Sequence, residues 1–422
     1  MLISVCGVPA AEGLDLLRGH APALTWQDRS PFLGASASIP WLRYAHRDHR
    51  GEAEGRPVKP TRCEPGGFAV SFAPEDGTGA HEWAAASGLR LLAPDADAVA
   101  TAADKVDVLR LFEQAGVETP RSWVVDADSG WPWDGGPLVV QRRVNNLTGK
   151  GTRFVTSAGH LADALREWNG ETVRIAEYVE GVPVTVSGCA TPWGTVVSAL
   201  SHQLVGIPAL TSYWGAHCGN QLIADDDLPA GAAARCGAVC AAVGDRLGEL
   251  GYRGAFGLDL MVTPAGAVLP IEVNPRFQTV VSLVQAQERA AGLLPSLGTH
   301  VLASLLMSAP VERVRTRSLP LSQLVVMSDR SGVLRETVAS GRYRLDNGRL
   351  FPAGQGDLLT LMPGEALLWA HAHPSDRLRP GEELVLIQLP HRAAAVSGRP
   401  ELTAETQAWV DAVRRTLRVD DA

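Results

Sequence analysis

Apolar and polar positions along the chain follow two rhythms, and the rhythm changes with position. Up to about residue 94, short apolar runs ("FAVSFAP", "LRLLAP") alternate with helical stretches such as "GAHEWAAASG", which predicts a small α/β unit. The opening "MLISVCGVPAAEG" reads as a buried strand running into a turn and lacks the basic start of a secretory leader. In "DADAVATAADKVDVLRLFEQAGVETP", Val106, Leu109 and Phe112 recur at helical spacing, with Asp104 as the expected N-cap and Gly116 as the stop. Residues 121–180 alternate strand and turn ("RSWVV", "PLVVQRR", "GTRFVT", "VRIAEYV") around one helix, "AGHLADALREW". Residues 181–275 carry the strands "VPVTVSG" and "TVVSALSHQL", a long Ala-rich helix, and the pair "AFGLDLMV" and "AVLPIEVN". After about residue 310 the runs "LSQLVVMS", "YRLDNGRLF", "EALLWAHA" and "ELVLIQLP" predict antiparallel strands, closed by the helix "AETQAWVDAVRRTL".

At 422 residues the chain is too long for one ordinary core. The pattern divides it into residues 1–95, a small α/β unit; residues 96–310, with a lid at about 121–180; and residues 311–422, a β-rich unit. The expected class is α/β of the α+β kind.

Composition narrows the function. Hydrophobic residues are 45% and charged residues 20%, which is globular rather than disordered. A net charge of -8, with no Lys/Arg cluster, argues against nucleic acid as a partner. No apolar run approaches a membrane span of roughly 18–20 residues. None of the six cysteines forms a CxxC pair; Cys236 and Cys240 share a helix face and read as core thiols. A reduced, cytoplasmic protein is the expectation. A polar Gly/Pro-rich loop is expected at residues 47–65.

Chemistry concentrates in one hairpin, "AFGLDLMVTPAGAVLPIEVNPRF". If its turn at residues 263–267 is symmetric about Ala265 and Gly266, Pro264 pairs with Ala267 and Asp259 with Glu272. Opposed residues share a sheet face, with Cβ atoms about 4.5–5.5 Å apart. Asn274 lies two residues beyond Glu272 on that face. Two adjacent carboxylates demand a shared proton or a cation, and hard oxygen donors suit magnesium, with manganese as an alternative. A turn of odd length would put Asp259 on the other face. Arg276, just past Asn274, is placed to clamp a phosphate or carboxylate, although a lone arginine is more often a surface residue.

A second hairpin, "PLVVQRRVNNLTGKGTRFVT", holds Gly149, Lys150 and Gly151 in its loop, a candidate anion nest. It is not a P-loop: Val144 and Gly151 break that motif, and a strand follows. Lys105 falls in the first turn of its expected helix, where the macrodipole disfavours a cation unless an anion is near.

These elements, in this order, resemble the ATP-grasp superfamily of carboxylate–amine ligases over roughly residues 104–277. The resemblance implies an ATP-grasp fold with a small N-terminal α/β domain and a C-terminal antiparallel β domain. It implies that Lys105 approaches the ATP phosphates, that the loop from Gly149 to Gly151 is a phosphate lid, and that Glu177 and Val179 present backbone to adenine. Asp259, Glu272 and Asn274 would ligate magnesium. Arg276, with Lys150, would face the transferred phosphate or acyl phosphate. The family's lid strand usually ends in lysine, where this chain has Gln141 followed by Arg142 and Arg143. Pro183 stands where a ribose-binding glutamate is often found.

The implied reaction is ATP-dependent amide formation through an acyl phosphate, from a small-molecule carboxylate and an amine, with a homodimer left open. The lid sequence and "SALSHQLVGIPALTSYWGAHCGNQL" resemble actinobacterial natural-product peptide ligases of the pheganomycin-ligase type, which implies amino-acid or peptide substrates. His202, Tyr213, Trp214 and His217 are candidate substrate contacts, weighed against plain packing. His371 and His373 share a strand face by spacing, and packing is the favoured reading for them. The alternatives are a nucleotide-pathway or carboxylase-type ligase of primary metabolism, and an ATP-binding regulatory or scaffold protein with decayed catalysis.

Overall fold

A computed structural model of the protein describes residues 2–5, 25–28, 68–70, 72, 74, 81, 84–85, 88–143, 151–306 and 318–421. The expected loop at 47–65, Cys6, Cys63, Gly149 and Lys150 lie outside the described residues. No helix among the described residues is long and apolar enough to cross a membrane.

Four short parallel strands form the first sheet: β1 (Leu2–Val5), β2 (Thr25–Asp28), β3 (Phe68–Val70) and β4 (Arg90–Leu91), in the order β2-β1-β3-β4. Two helices follow, α1 (Ala96–Ala103) and α2 (Asp107–Gln114). The expected single start at Asp104 is a junction instead. The Asp104 carboxylate accepts from the Val106 and Asp107 amides at 2.8 and 2.9 Å and so caps the second helix from outside it. Lys105 therefore precedes α2 rather than lying in its first turn. The buried stripe of α2 is Val108, Leu111 and Phe112, so the apolar face is turned from the expected one at Val106 and Leu109.

The second sheet contains β5 (Ser122–Asp126), β6 (Leu138–Arg142), β7 (Thr152–Val155) and β8 (Thr172–Glu177), antiparallel in the order β5-β8-β6-β7. Helix α3 (Ala158–Glu167) covers one face, where Leu161 and Leu165 pack with Leu138, Val140, Val155, Val173 and Ile175. Period-two alternation puts the intervening residues on the face turned away from α3. Register aligns two rows there: Ser122, Ala176, Val139 and Phe154, then Arg174, Gln141 and Thr152.

The largest sheet has ten strands. They are β9 (Val182–Thr191), β10 (Gly194–Val205), β11 (His217–Leu222), β12 (Gly254–Val262), β13 (Val268–Asn274), β14 (Ser322–Met327), β16 (Gly341–Asp346), β17 (Arg349–Gly354), β18 (Glu365–Ala370) and β20 (Glu383–Leu389). Their order is β13-β12-β9-β10-β11-β14-β20-β18-β16-β17, antiparallel throughout. The strands after residue 310 are antiparallel, as their pattern predicts, and they continue this sheet through β11–β14 pairing. A small sheet of β15 (Gly332–Glu336), β19 (Arg377–Leu378) and β21 (Arg418–Asp420) flanks it.

Helix α4 (Ala232–Glu249) lies on one face of β9, β10 and β12 and turns Cys236, Cys240, Val243 and Leu247 into the core. Cys236 and Cys240 are thus core thiols, pushed up by burial, Cys236 to about 12. Helices α5 (Val281–Ala290) and α6 (Ser296–Ser304) follow the hairpin, and α7 (Ala404–Thr416) packs Trp409, Val410 and Val413 into the second core. Gly181 joins the small sheet to the large one, and a Cβ there would lie 2.4 Å from the Val262 carbonyl oxygen.

Candidate active site

The hairpin of β12 and β13 brings the acids together by an unexpected route. Near the turn, Val262 pairs with Val268 and Leu260 with Pro270, so the turn has the odd length that would separate the acids. The Thr263 amide bonds the Ala267 carbonyl at 2.9 Å, which replaces the expected pairing of Pro264 with Ala267. A β-bulge then shifts the register between Leu260 and Asp259, leaving Ile271 extra. Asp259 consequently pairs with Glu272, and Gly257 with Asn274. Pro270 has no N–H to donate and is tolerated because β13 is the sheet edge.

The bulge is fixed from outside. The buried Arg174 guanidinium donates to the Ile271 carbonyl at 2.8 Å and to Ser122 Oγ at 3.3 and 3.2 Å. This side chain crosses from β8 to β13 and ties the small sheet to the acid-bearing strand. Burial lowers its pKa to about 10, partly countered by the charge of Glu272.

Around the acids the network is dense. Lys105 is buried and its Nζ pairs with Glu272 Oε2. Thr185 Oγ1 donates to Asp259 Oδ1 at 2.8 Å, and Gln203 Nε2 donates to Thr185 Oγ1 at 2.6 Å. Asn274 Nδ2 donates to Asp259 Oδ2 at 3.1 Å, while Arg276 donates to Asn274 Oδ1 at 3.0 Å. The Arg276 guanidinium also lies over the Phe72 ring, 5.7 Å from its centroid. Burial, then the charge of Glu272, pushes the Asp259 carboxyl up to about 7. For Glu272, burial acts upward, but the charge and hydrogen bond of Lys105 win and hold it below the usual range.

A row of buried amides and hydroxyls extends from the acids across the sheet. Asp259 pairs with Thr185, Thr185 with Ser201, Gln203 with Asn220, Asn220 with Gln323, and Gln323 with Gln388, all on one face. His217 joins it, with Nε2 donating to Asn220 Oδ1 at 2.8 Å; burial pushes this histidine's pKa down. Thr279 Oγ1 donates to the same oxygen at 3.1 Å. Ser187 Oγ and Gln278 Nε2, beside Gly257, are buried without a hydrogen-bond partner among the described residues. Buried polar atoms of this kind cost about 1–3 kcal/mol unless satisfied, so the site is suited to a polar ligand.

The donor set also fits a hard divalent cation. Asp259 and Glu272 supply carboxylate oxygens, and burial, then the charge of Glu272, raises the Asp259 pKa, so a cation would favour its ionised form. Asn274 offers an amide oxygen only after its side chain turns over, because Nδ2 now faces the acids. No group of three or more His, Cys, Asp or Glu residues stands ready for a metal among the described residues. His371 and His373 follow the end of β18 instead of lying on it; His371 Nδ1 pairs with Glu383 at 2.9 Å.

Other sequence candidates divide. Gln141 is buried opposite Arg174 on the face turned away from α3, and Gly151 is buried just before β7. Arg142 is engaged by Glu171 at 2.6 Å, and Arg143 by Asp104 and Asp107 at 2.7 and 2.9 Å. The Glu177 amide is taken by the Arg121 carbonyl at 3.0 Å, so it is not open to a ligand. Val179 makes no hydrogen bond among the described residues. Trp214 is exposed and stacks on Phe154 at 4.7 Å, and Phe154 meets Tyr178 at 4.9 Å. Tyr213 is exposed beside Gly381.

His202 does not reach the acids. It lies one residue from Ser201 and Gln203, hence on the opposite sheet face. There it bonds the Ser397 carbonyl at 2.8 Å and Gln221 at 3.2 Å, and burial lowers its pKa to about 4.

Arg174, Thr185, Gln203 and Asn220 were missed by the sequence reading. Their signal is the one that exposed Glu272 and Asn274: polar residues at alternate positions in otherwise apolar strands.

Comparison with known proteins accords with this architecture. Residues 102–280 match the family described as ATP-grasp domain. No curated protein sequence matches the chain. The fold is similar to L-amino acid ligase from Bacillus licheniformis, at 12% identity over 100% of this chain and 98% of that one, TM-score 0.56. It is similar to carboxyaminoimidazole ribonucleotide synthase from Aspergillus clavatus, solved with ATP, at 12% identity over 98% of each chain, TM-score 0.57. Phosphoribosylamine–glycine ligase from Thermotoga maritima is 13% identical over 100% of this chain and 98% of that one, TM-score 0.54. At such identities the likeness is one of fold. Residues 102–280 match the ATP-grasp domain family, and the chain has the ATP-grasp type of fold that these solved structures share.

Proposed function

We propose that the protein is an ATP-dependent ligase that activates a carboxylate as an acyl phosphate and joins it to an amine, releasing ADP and phosphate. The observation that carries this reading is the convergence of Asp259, Glu272, Asn274, Lys105 and Arg276 on one sheet face. Phosphoryl transfer asks a protein for positioning and charge neutralisation more than for covalent chemistry, and this cluster offers both.

Asp259, Glu272 and Asn274 would hold magnesium, which would supply charge neutralisation to the phosphates. Lys105 sets the ionisation of Glu272. Thr185 and Gln203 orient Asp259. Arg276, held by Asn274, would face the transferred phosphoryl group. Val139, Ala176 and Phe154 offer an apolar surface for a base, next to the polar row of Gln141 and Thr152. Val179 backbone would read the base edge. Lys150 and Gly149 belong to the lid in this reading, and residues 96–310 to the catalytic unit.

The preferred substrates are amino acids or peptides, in natural-product biosynthesis. The lid and pocket resemblance supports this, as does the likeness to L-amino acid ligase. His217 and Asn220, with Trp214 and Tyr213 at the rim, are the proposed substrate contacts. A second reading, an ATP-binding scaffold, draws on uncharged Gln141 and on the engagement of Arg142 and Arg143 by acids.

The test is incubation with ATP, magnesium, pooled amino acids and small acids, and hydroxylamine. ADP, phosphate and a trapped hydroxamate are expected. AMP and pyrophosphate would refute the acyl-phosphate route, and magnesium-dependent ATP binding without turnover would favour the scaffold. Asp259→Asn and Glu272→Gln should each lower turnover on the order of 10²–10³-fold.

A further inference from the structure

We propose that Arg174 is a phosphate-binding residue of the nucleotide site, supplying the positive charge that its cross-strand neighbour Gln141 does not. This rests on the reading of the cleft as an ATP site. Arg174 is the only arginine in the buried set among the described residues, at 1% exposure. It has no carboxylate within ion-pair distance there; its partners are a serine hydroxyl and a backbone carbonyl, both neutral. Buried charges are normally paired; the carboxylate whose charge reaches Arg174, Glu272, is itself paired with Lys105, so the guanidinium keeps charge to give to an incoming anion.

Placement indicates which anion. Arg174 and Gln141 are directly opposed, on the face of the small sheet turned away from α3 and its core. The neighbouring row on that face is apolar at Val139, Ala176 and Phe154. The face therefore pairs a flat apolar surface with a cation one row away, as a nucleoside phosphate requires. At its far end the guanidinium rests on the Ile271 carbonyl, adjacent to Glu272. It thus stands between the base-like surface and the acid cluster.

Donor capacity agrees. A guanidinium has five N–H groups; three are used, one on Ile271 and two on Ser122, which leaves two for phosphate oxygens. The nearby arginines are not competitors, because Arg142 and Arg143 are already held by Glu171, Asp104 and Asp107. The anchors on Ser122 and Ile271 hold the planar group in place before ligand arrives, which lowers the entropic cost of engaging it.

The experiment compares magnesium-dependent binding of ATP, ADP and AMP, and binding of adenosine, in the full chain. In wild type, affinity should rise with phosphate number. Absence of any adenine-nucleotide binding would refute the ATP-site reading itself, and this proposal with it. Given wild-type binding, Arg174→Met should weaken ATP by about 10–100-fold while changing adenosine little. Gln141→Lys in that background should restore much of the loss, because the lysine rises from the opposed position on the same face. Equal weakening of ATP and adenosine, or an ATP affinity unchanged in R174M, would overturn the proposal and leave Arg174 as a strut between sheets.

Should R174M fail to fold, Arg174→Lys decides. It keeps the charge but cannot hold Ser122 and Ile271 together. ATP weakened several-fold more than adenosine in folded R174K supports phosphate binding, because lysine lacks the planar two-pronged donor; ATP and adenosine weakened alike, or neither weakened, refutes it.

Discussion

Lys105 and Glu272 form a pair whose disruption has a calculable cost. Their side chains are 8% and 23% exposed, so each charge depends mainly on the other for stabilisation. Removing one partner of a buried pair costs about 3–5 kcal/mol, because the survivor is left uncompensated. The partial exposure of Glu272 puts Lys105→Met near the lower end, while Glu272→Gln strands the more deeply buried ammonium. For a domain the size of residues 102–280, about 2–4 °C per kcal/mol gives a Tm loss of roughly 6–20 °C for each single variant. The double variant K105M/E272Q strands neither member of the pair and should be more stable than the two losses added together, by about 2 kcal/mol or more. Glu272→Gln is therefore not a silent change for folding, whatever it does to turnover. The assay is thermal and urea unfolding of all four proteins without nucleotide. Strict additivity, or single variants as stable as wild type, would refute the claim that this pair holds the site together.

Other outcomes follow from the same geometry. His202 and His300 are each pushed down to about 4 by burial, so they stay neutral when folded and charge first in the unfolded chain. Their stabilising contribution is full above about pH 6.5 and lost as pH falls towards 4; each should cost about 2 kcal/mol between pH 7.5 and 5, seen as falling urea midpoints. His300→Gln should flatten that slope by its share. Gly181→Ala would drive a Cβ to 2.4 Å from the Val262 carbonyl oxygen, a backbone atom, and should destabilise by about 1–3 kcal/mol in thermal unfolding. Trp214→Ala removes the 4.7 Å stack on Phe154 and should raise the KM for the amine or acid more than it changes adenosine binding.

Much of the site was legible because strands have period two. Glu272 and Asn274 stand at alternate positions of β13, and that alone places them on one face. The pairing of Asp259 with Glu272 was also anticipated, yet through a symmetric turn that the molecule does not have. An odd turn and a bulge at Ile271 give the same pairing, and two cancelling register shifts leave no trace in a hydrophobic pattern. The split into α1 and α2 was hidden because Asp104 caps from two residues outside the N-cap position, which Val106 holds. Arg174 escaped notice since a charge in a strand usually signals an exposed face, and only the meeting of two sheets buries it. Continuation of the large sheet beyond residue 310 depends on pairing between β11 and β14, about a hundred residues apart in the chain, which local patterning does not encode.

That continuity bears on how the protein can be taken apart. Its second core draws residues from β10 and β11, from α5, and from strands and helix α7 beyond residue 320. A cut at residue 310 would strip Leu204, Cys218 and Val284 of their packing partners and leave the edge of β11 open to another chain. Chimeras joined there should aggregate. The small sheet is the better unit of exchange: it has its own core under α3, and its links to the rest among the described residues include Arg174 on Ile271 and Arg143 on Asp104 and Asp107.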